Sequence, residues 1–277
     1  MEEKISFELS ERPPLISQTF ISLEGEGHAV GSPSLYIRLA GCNIRCKFCD
    51  TKFSWQPEGK GFDEIGDRNL TISLAKQLLD IEPKRLTITG GEPLMYMKWF
   101  PDIFNWVNEI SPVGLDFLGI ESNGNLLHKQ ENCLHLIESF NEIIKTHGIY
   151  PTLTISPKLD ADVCYLGKYD QNFIDELYFT TFKNITDYLQ PYNIYYKFIY
   201  DHTEKFIKFE DTYRFIDFLV DEMDVKRYHI MLMPFTPEDP LGKNKSWWEE
   251  SKDATSRMAL KHGLIYSPRI HVDRKLD

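Results

Sequence analysis

Cys42, Cys46 and Cys49 carry the spacing CxxxCxxC, and no fourth cysteine or histidine follows close enough to close a tetrahedron. A structural zinc site is closed by four ligands. A 4Fe–4S cluster held by only three thiolates leaves one iron open to another molecule. The spacing therefore points to a cluster with an exchangeable position. The zinc reading needs a fourth ligand from afar, with His28 or Asp50 as the choices. The remaining two of the five cysteines, Cys133 and Cys164, stand alone. An odd count with one cluster is no disulfide framework; the lone pair read as small buried hydrophobes.

Three further segments carry chemistry. In Gly90-Gly91-Glu92-Pro93 the glycines let backbone approach a ligand closely, and the carboxylate can meet an ammonium group. Alone, that run is an ordinary turn. In Thr19–Gly27, Glu24 and Glu26 alternate with glycines, a poor helix and a poor strand interior. Carboxylates and carbonyls there can hydrogen-bond the N–H edge of a heterocycle, although a plain loop is the simpler account. Arg38 interrupts the apolar strand pattern Leu35–Ala40. A buried charge needs a partner, either a structural carboxylate or an anionic substrate held by a bidentate contact.

These residues need elements to hold them. Apolar, β-branched or aromatic runs at 34–39, 85–89, 115–121, 151–155, 194–199 and 228–233 predict six strands. Helical spacing predicts helices at 98–110, 132–146, 172–190 and 206–222, another opening at Ser73, and a last one capped by Ser246 through a capping box. Phe206, Phe209, Phe215, Phe218 and Leu219 form a core-facing stripe. Strand–helix alternation implies a parallel sheet with right-handed crossovers, here an α/β fold with an open, partial (β/α)6 barrel. The cysteines follow the first strand, Gly90–Pro93 the second, Glu121–Gly124 the third and Ser156–Lys158 the fourth. Barrel active sites are built at those carboxyl ends.

Composition bounds the rest. A chain of 277 residues fits one α/β barrel domain, and we read residues 1–277 as a single domain. The net charge of −11 argues against a general nucleic-acid binder. No apolar run approaches the ~18 residues of a membrane span. The polar opening Met1-Glu2-Glu3-Lys4 has no signal-peptide character, so a cytoplasmic location is expected.

Taken in order, Phe20–Gly27, Gly31–Ser34, Ile37–Asn43, Cys49-Asp50-Thr51, Thr89–Pro93, Glu121–Gly124 and Ser156-Pro157-Lys158 strongly resemble the 7-carboxy-7-deazaguanine synthases, a family of radical S-adenosylmethionine enzymes. The resemblance runs from about residue 15 to 158 and resumes at Pro268–His271; residues 160–192 match no motif and are expected as an insertion. It implies conversion of 6-carboxy-5,6,7,8-tetrahydropterin to 7-carboxy-7-deazaguanine with loss of ammonia, assisted by Mg2+ and started by a 5′-deoxyadenosyl radical that takes hydrogen from C6. It also implies roles. Cys42, Cys46 and Cys49 would ligate the cluster. Phe48, Cys49, Asp50, Gly91, Glu92, Ser156 and Lys158 would contact S-adenosylmethionine. Thr51 would ligate Mg2+, a cation that favours hard oxygen. Leu23, Glu24, Gly25 and Glu26 would hold the pterin edge, Arg38 and His271 its carboxylate, and Thr89, Glu121 and Asn123 would complete the pocket. The precedent is a homodimer. Glu24 departs from the family's common Gln, which exchanges an amide donor for an acceptor or a charge.

Arg45, Lys47 and Lys52 surround the cysteines in an acidic chain, the charge pattern expected of a docking patch for an acidic reductant of the flavodoxin or ferredoxin type. Competing readings are a glycyl-radical activase, a zinc module and an enzyme acting on a related pterin. The activase leaves Glu24, Glu26, Arg38 and Thr51 without a joint purpose.

Overall fold

The computed structural model describes residues 5–56, 62–190 and 192–275. The polar start Met1–Lys4 and the last two residues lie outside them. One sheet holds nine strands in the order β3-β1-β2-β4-β5-β6-β7-β8-β9. They are β1 (Leu15–Leu23), β2 (Pro33–Leu39), β3 (Asp63–Glu64), β4 (Arg85–Gly90), β5 (Phe117–Ser122), β6 (Thr152–Ile155), β7 (Asn193–Tyr200), β8 (Ile230–Pro234) and β9 (Ile265–Tyr266). From β2 to β9 all neighbours are parallel. The six expected strands are β2, β4, β5, β6, β7 and β8, and the sheet is an open, partial barrel.

Alternation within these strands explains the architecture. Leu35, Ile37 and Leu39 of β2, Leu86 and Ile88 of β4, Leu118 and Ile120 of β5, Leu153 and Ile155 of β6, and Tyr196 and Phe198 of β7 are all buried. They turn to the helices; Phe182 meets Tyr196 edge-on at 5.4 Å. Each such apolar side chain contributes about 1.5–3 kcal/mol. Successive residues of a strand face opposite sides, so Tyr36, Arg38, Thr89, Glu121 and Lys197 point the other way and line a cavity.

The helices are α1 (Arg68–Asp80), α2 (Phe100–Ile110), α3 (Gln130–His147), α4 (Ala161–Cys164), α5 (Gln171–Leu189), α6 (Phe209–Asp217), α7 (Lys245–His262) and α8 (Ile270–Arg274). Several boundaries differ from expectation. Helix α1 starts before Ser73 because Asp67 caps it, accepting from Asn69 N and Leu70 N at 2.9 Å. Helix α7 starts before Ser246, whose hydroxyl bonds Glu250 instead of a backbone N–H. Phe206 precedes α6 and stacks on Phe235 at 5.3 Å, so it leaves the expected core stripe. The segment Thr19–Leu23 is strand, paired antiparallel to β2. Residues 160–192 contain α4 and the crossover helix α5 between β6 and β7.

Candidate active site

The carboxyl ends of the parallel strands surround a cavity of about 1270 Å³. That exceeds the ~300–1,000 Å³ of a pocket for one drug-sized ligand. Of the residues expected from the resemblance to hold the cluster, S-adenosylmethionine, Mg2+ or the pterin, all but Glu92 line it.

The cysteine loop leaves β2 and is fastened from both sides. Gly41 N donates to Ser54 O at 2.8 Å, while Arg45 N and Lys47 N donate to the carbonyls of Cys164 and Val163 at 3.1 and 2.9 Å. The Arg45 guanidinium donates to Cys42 O at 2.6 Å and lies over the Trp55 ring. Arg45 thus serves the loop, and Lys47 and Lys52 alone of the expected docking patch are exposed. Gly91 packs so closely beneath that a Cβ would sit 1.8 Å from Gly41 O, so any side chain there would displace the cysteine loop. Burial pushes the Cys42 thiol up. A hydrogen bond with Cys164, then burial, does the same to Cys46. Coordination deprotonates such thiols. Three thiols on one loop at the cavity wall fit a cluster with one open iron. Cys133 and Cys164 are both buried as expected, and Cys164 is in addition a neighbour of this centre.

Glu92 lies behind the wall, 1% exposed. Its carboxylate accepts from Leu94 N at 2.9 Å, Ser122 Oγ at 2.5 Å and Asn123 N at 2.8 Å. Burial raises its pKa against those bonds. A carboxylate has about four acceptor positions, and three are filled. Glu92 ties the ends of β4 and β5 together. Asn123 has a similar part: its amide bonds Asn43 and Asn125 N. Lys158 Nζ rests on Ser156 O and Oγ at 2.6 and 3.0 Å, with no carboxylate partner among the described residues.

Glu24 is 4% exposed and fully engaged. It accepts from Tyr36 Oη at 2.7 Å, Arg85 Nε at 3.1 Å and the Thr87 hydroxyl. Its backbone N–H and carbonyl pair with Ser32 and Gly31. The carboxylate therefore answers Arg85 inside the sheet. Arg38 differs. Among the described residues it donates only to Gln18 Oε1, at 3.2 Å, and it lies near the rings of Phe20 and Phe53. Burial lowers its pKa, with Asp50 and Glu26 opposing. Among the described residues no carboxylate pairs with it, so it is a cation available to an anion.

On the floor, Lys197 Nζ reaches Glu26 Oε1 at 2.6 Å and Glu121 Oε2 at 2.5 Å. Arg269 spans Glu26 Oε2 at 3.0 Å and Asp50 Oδ2 at 2.8 Å. Burial works against charge on Glu26, but Lys197 and Arg269 outweigh it and hold the carboxyl low. His271 packs on Gly25, where a Cβ would lie 1.7 Å from its Nδ1. Leu23, Thr89, Phe48 and Thr51 complete the wall, with Thr51 Oγ1 3.7 Å from Cys49 Sγ. His28 is away from the cysteines, stacked on Tyr195 at 4.3 Å, and Asp50 is held by Arg269. Neither supplies the distant zinc ligand.

A family model described as a 4Fe-4S single cluster domain matches residues 23–145. The chain is 28% identical to the 7-carboxy-7-deazaguanine synthase of Hyperthermus butylicus, over 93% of this chain and 91% of that one. It is 35% identical to the enzyme of that name from Methanothermobacter thermautotrophicus, over 56% and 59%. The chain is thus similar to 7-carboxy-7-deazaguanine synthases over nearly its whole length. The fold agrees: QueE from Escherichia coli superposes with a TM-score of 0.55 over 93% of this chain and 94% of that one, at 18% identity.

Sequence reasoning overlooked Lys197, Arg85 and Arg269 as partners of the acidic residues. The signal for Lys197 was present. It is a lone cation in the apolar run Ile194–Ile199, as Arg38 is in its own strand.

Proposed function

We propose that the chain converts 6-carboxy-5,6,7,8-tetrahydropterin to 7-carboxy-7-deazaguanine with release of ammonia. The observation that carries this reading is the meeting of opposite chemistries in one cavity. Arg38, without an acidic partner among the described residues, opens on the same space as the three cysteines and the Glu26/Glu121 pair. A substrate with a carboxylate at one end and an N–H edge at the other complements that arrangement.

Cys42, Cys46 and Cys49 would hold a 4Fe–4S cluster. With S-adenosylmethionine, that cluster supplies the one-electron chemistry that starts the ring contraction. Phe48, Asp50, Gly91, Ser156 and Lys158 would seat S-adenosylmethionine, and Glu92 would shape its floor from behind. Arg38, with His271, would bind the substrate carboxylate through charge-assisted hydrogen bonds. Glu26 and Glu121 would accept from the pterin N–H edge, with Leu23, Gly25, Thr89 and Asn123 enclosing the ring. Thr51 would give a hard oxygen to Mg2+, the remaining ligands being water and substrate oxygens. Glu24 would act through the wall, by fixing the turn that carries Gly25 and Glu26. The protein's contribution is orientation and exclusion of side reactions.

A flavodoxin- or ferredoxin-type reductant, a homodimer, a single domain and a cytoplasmic location complete the proposal. Among the described residues no helix is long and apolar enough to cross a membrane. The test is anaerobic. The reconstituted chain receives dithionite, S-adenosylmethionine, Mg2+ and 6-carboxy-5,6,7,8-tetrahydropterin, and products are followed by mass spectrometry. 7-Carboxy-7-deazaguanine is the expected product. 5′-Deoxyadenosine without it would overturn the substrate and keep the radical chemistry.

A further inference from the structure

Lys197 occupies an unusual place for a lysine. Its neighbours Tyr196 and Phe198 face the helices, so the pleat turns Lys197 into the cavity, where its side chain is only 2% exposed. Burial opposes its charge, and two carboxylates restore it. Its Nζ lies 2.6 Å from Glu26 Oε1 and 2.5 Å from Glu121 Oε2. The partners are unequal. Glu26 has a second cation, Arg269, on its other oxygen. Glu121 has no other cation among the described residues. Burial, reinforced by Glu26 and Glu24, raises its pKa against Lys197. Among the described residues its carboxylate accepts only from Lys197, on Oε2, which leaves Oε1 to accept from a ligand.

We propose that Lys197 is a positioning residue that bridges Glu26 and Glu121 into a pair of hydrogen-bond acceptors, selecting a planar ring with a cyclic guanidine edge over the same ring bearing a carbonyl there. This inference rests on the pterin reading. An ionised carboxylate only accepts. A ring N–H beside an exocyclic amino group presents donors to both carboxylates. A carbonyl in the amino position would meet acceptor with acceptor. Sites built to hydrogen-bond a group discriminate strongly against analogues lacking it. Without Lys197 the two carboxylates would repel, and one would take a proton. Glu121 is that one, since Arg269 stays with Glu26. A protonated Glu121 can donate, so the carbonyl analogue would be admitted. The charged groups facing the pair are Glu24 from the β1–β2 turn, Arg38 from β2, Asp50 from the cysteine loop, Arg269 and His271 from the C-terminal segment, and Lys197 itself.

The experiment is calorimetric binding to the chain loaded with cluster and S-adenosylmethionine, kept unreduced. The ligands are 6-carboxy-5,6,7,8-tetrahydropterin and its 2-oxo (lumazine) counterpart. Wild type should prefer the pterin by ~100-fold or more. Lys197→Met and Lys197→Gln should each lose at least about tenfold of that preference. Their pterin binding should also release up to about one more proton than wild type, read in buffers of different ionisation heat, because Glu121 must give one up. Lys197→Arg keeps the charge and should keep the preference. A merely structural lysine would leave preference and proton count unchanged in any variant that folds, and that result overturns the proposal. Equal binding of both rings by wild type overturns it without any variant. Binding of neither ring overturns the pterin reading and this inference with it.

Discussion

Replacing Glu24 with the glutamine common in the family should destabilise this chain, because the carboxylate is the counterion of a buried arginine. Arg85 Nε lies 3.1 Å from Glu24 Oε1, with side-chain exposures of 10% and 5%. At an effective dielectric of about 20, that contact is worth about 5 kcal/mol before desolvation is subtracted. Breaking such a pair by removing one partner costs about 3–5 kcal/mol. Glutamine keeps one oxygen for Tyr36 or Thr87, so Glu24→Gln should cost about 3 kcal/mol. Arg85→Met should cost a similar amount, since it strands the carboxylate with two hydroxyl donors. The double variant removes both charges and should cost about 2 kcal/mol rather than the sum. The assay is urea unfolding of all four chains under reducing conditions, assembled as a double-mutant cycle. A coupling below about 0.5 kcal/mol would mean that the pair is not a unit and would refute the reasoning.

Other outcomes follow from the same geometry. Arg38→Gln should weaken binding of the carboxylated pterin by about 10- to 100-fold and leave a decarboxylated analogue unaffected; equal losses on both ligands would remove Arg38 from carboxylate binding. His28 is half-buried, and burial, with Arg85 and Lys197 nearby, lowers its pKa from 6.5 to about 4. Below pH 6.5 the unfolded chain takes a proton that the folded chain refuses until about 4, so stability falls as pH drops through that window. Screening leaves about 1–2 kcal/mol of the roughly 3 implied. His28→Gln should flatten this part of the pH–stability curve, and an unchanged slope would contradict it. Lys47→Glu with Lys52→Glu should slow reduction by flavodoxin most at low salt; rates unchanged at every ionic strength would dispose of the docking patch.

Much of the scaffold was legible because strand alternation is written in the chain. Six of the seven parallel strands are legible from their apolar residues, the two-residue β9 being too short to show a pattern, and the polar clusters after four of the six fall on one rim. Where reading failed, short-range signals had been outweighed. Asp67 lay outside the window that made Ser73 look like a cap. Thr19–Leu23 carries too mixed a pattern to read as a strand; pairing with β2 makes it one. Phe206 has helical spacing but stacks on Phe235, which comes from another element. Cys164 is the buried residue its sequence suggests, but that it lies against Cys46 is visible only in the fold.

The sequence by itself determined the chemistry at hand: three thiolates at cluster spacing, glutamates between glycines, and an arginine inside a strand. Those features are local, and residue type with spacing suffices to state them. Only the tertiary structure decided what each charge answers to. Glu24, Glu26 and Glu92 are all acidic residues in glycine-rich motifs. One faces Arg85 inside the sheet, one is held between Lys197 and Arg269, and one accepts from Leu94, Ser122 and Asn123. Apart from Leu94, these partners lie at least 30 residues away along the chain. A charge leaves no mark in its own neighbourhood of the opposite charge that folding brings to it.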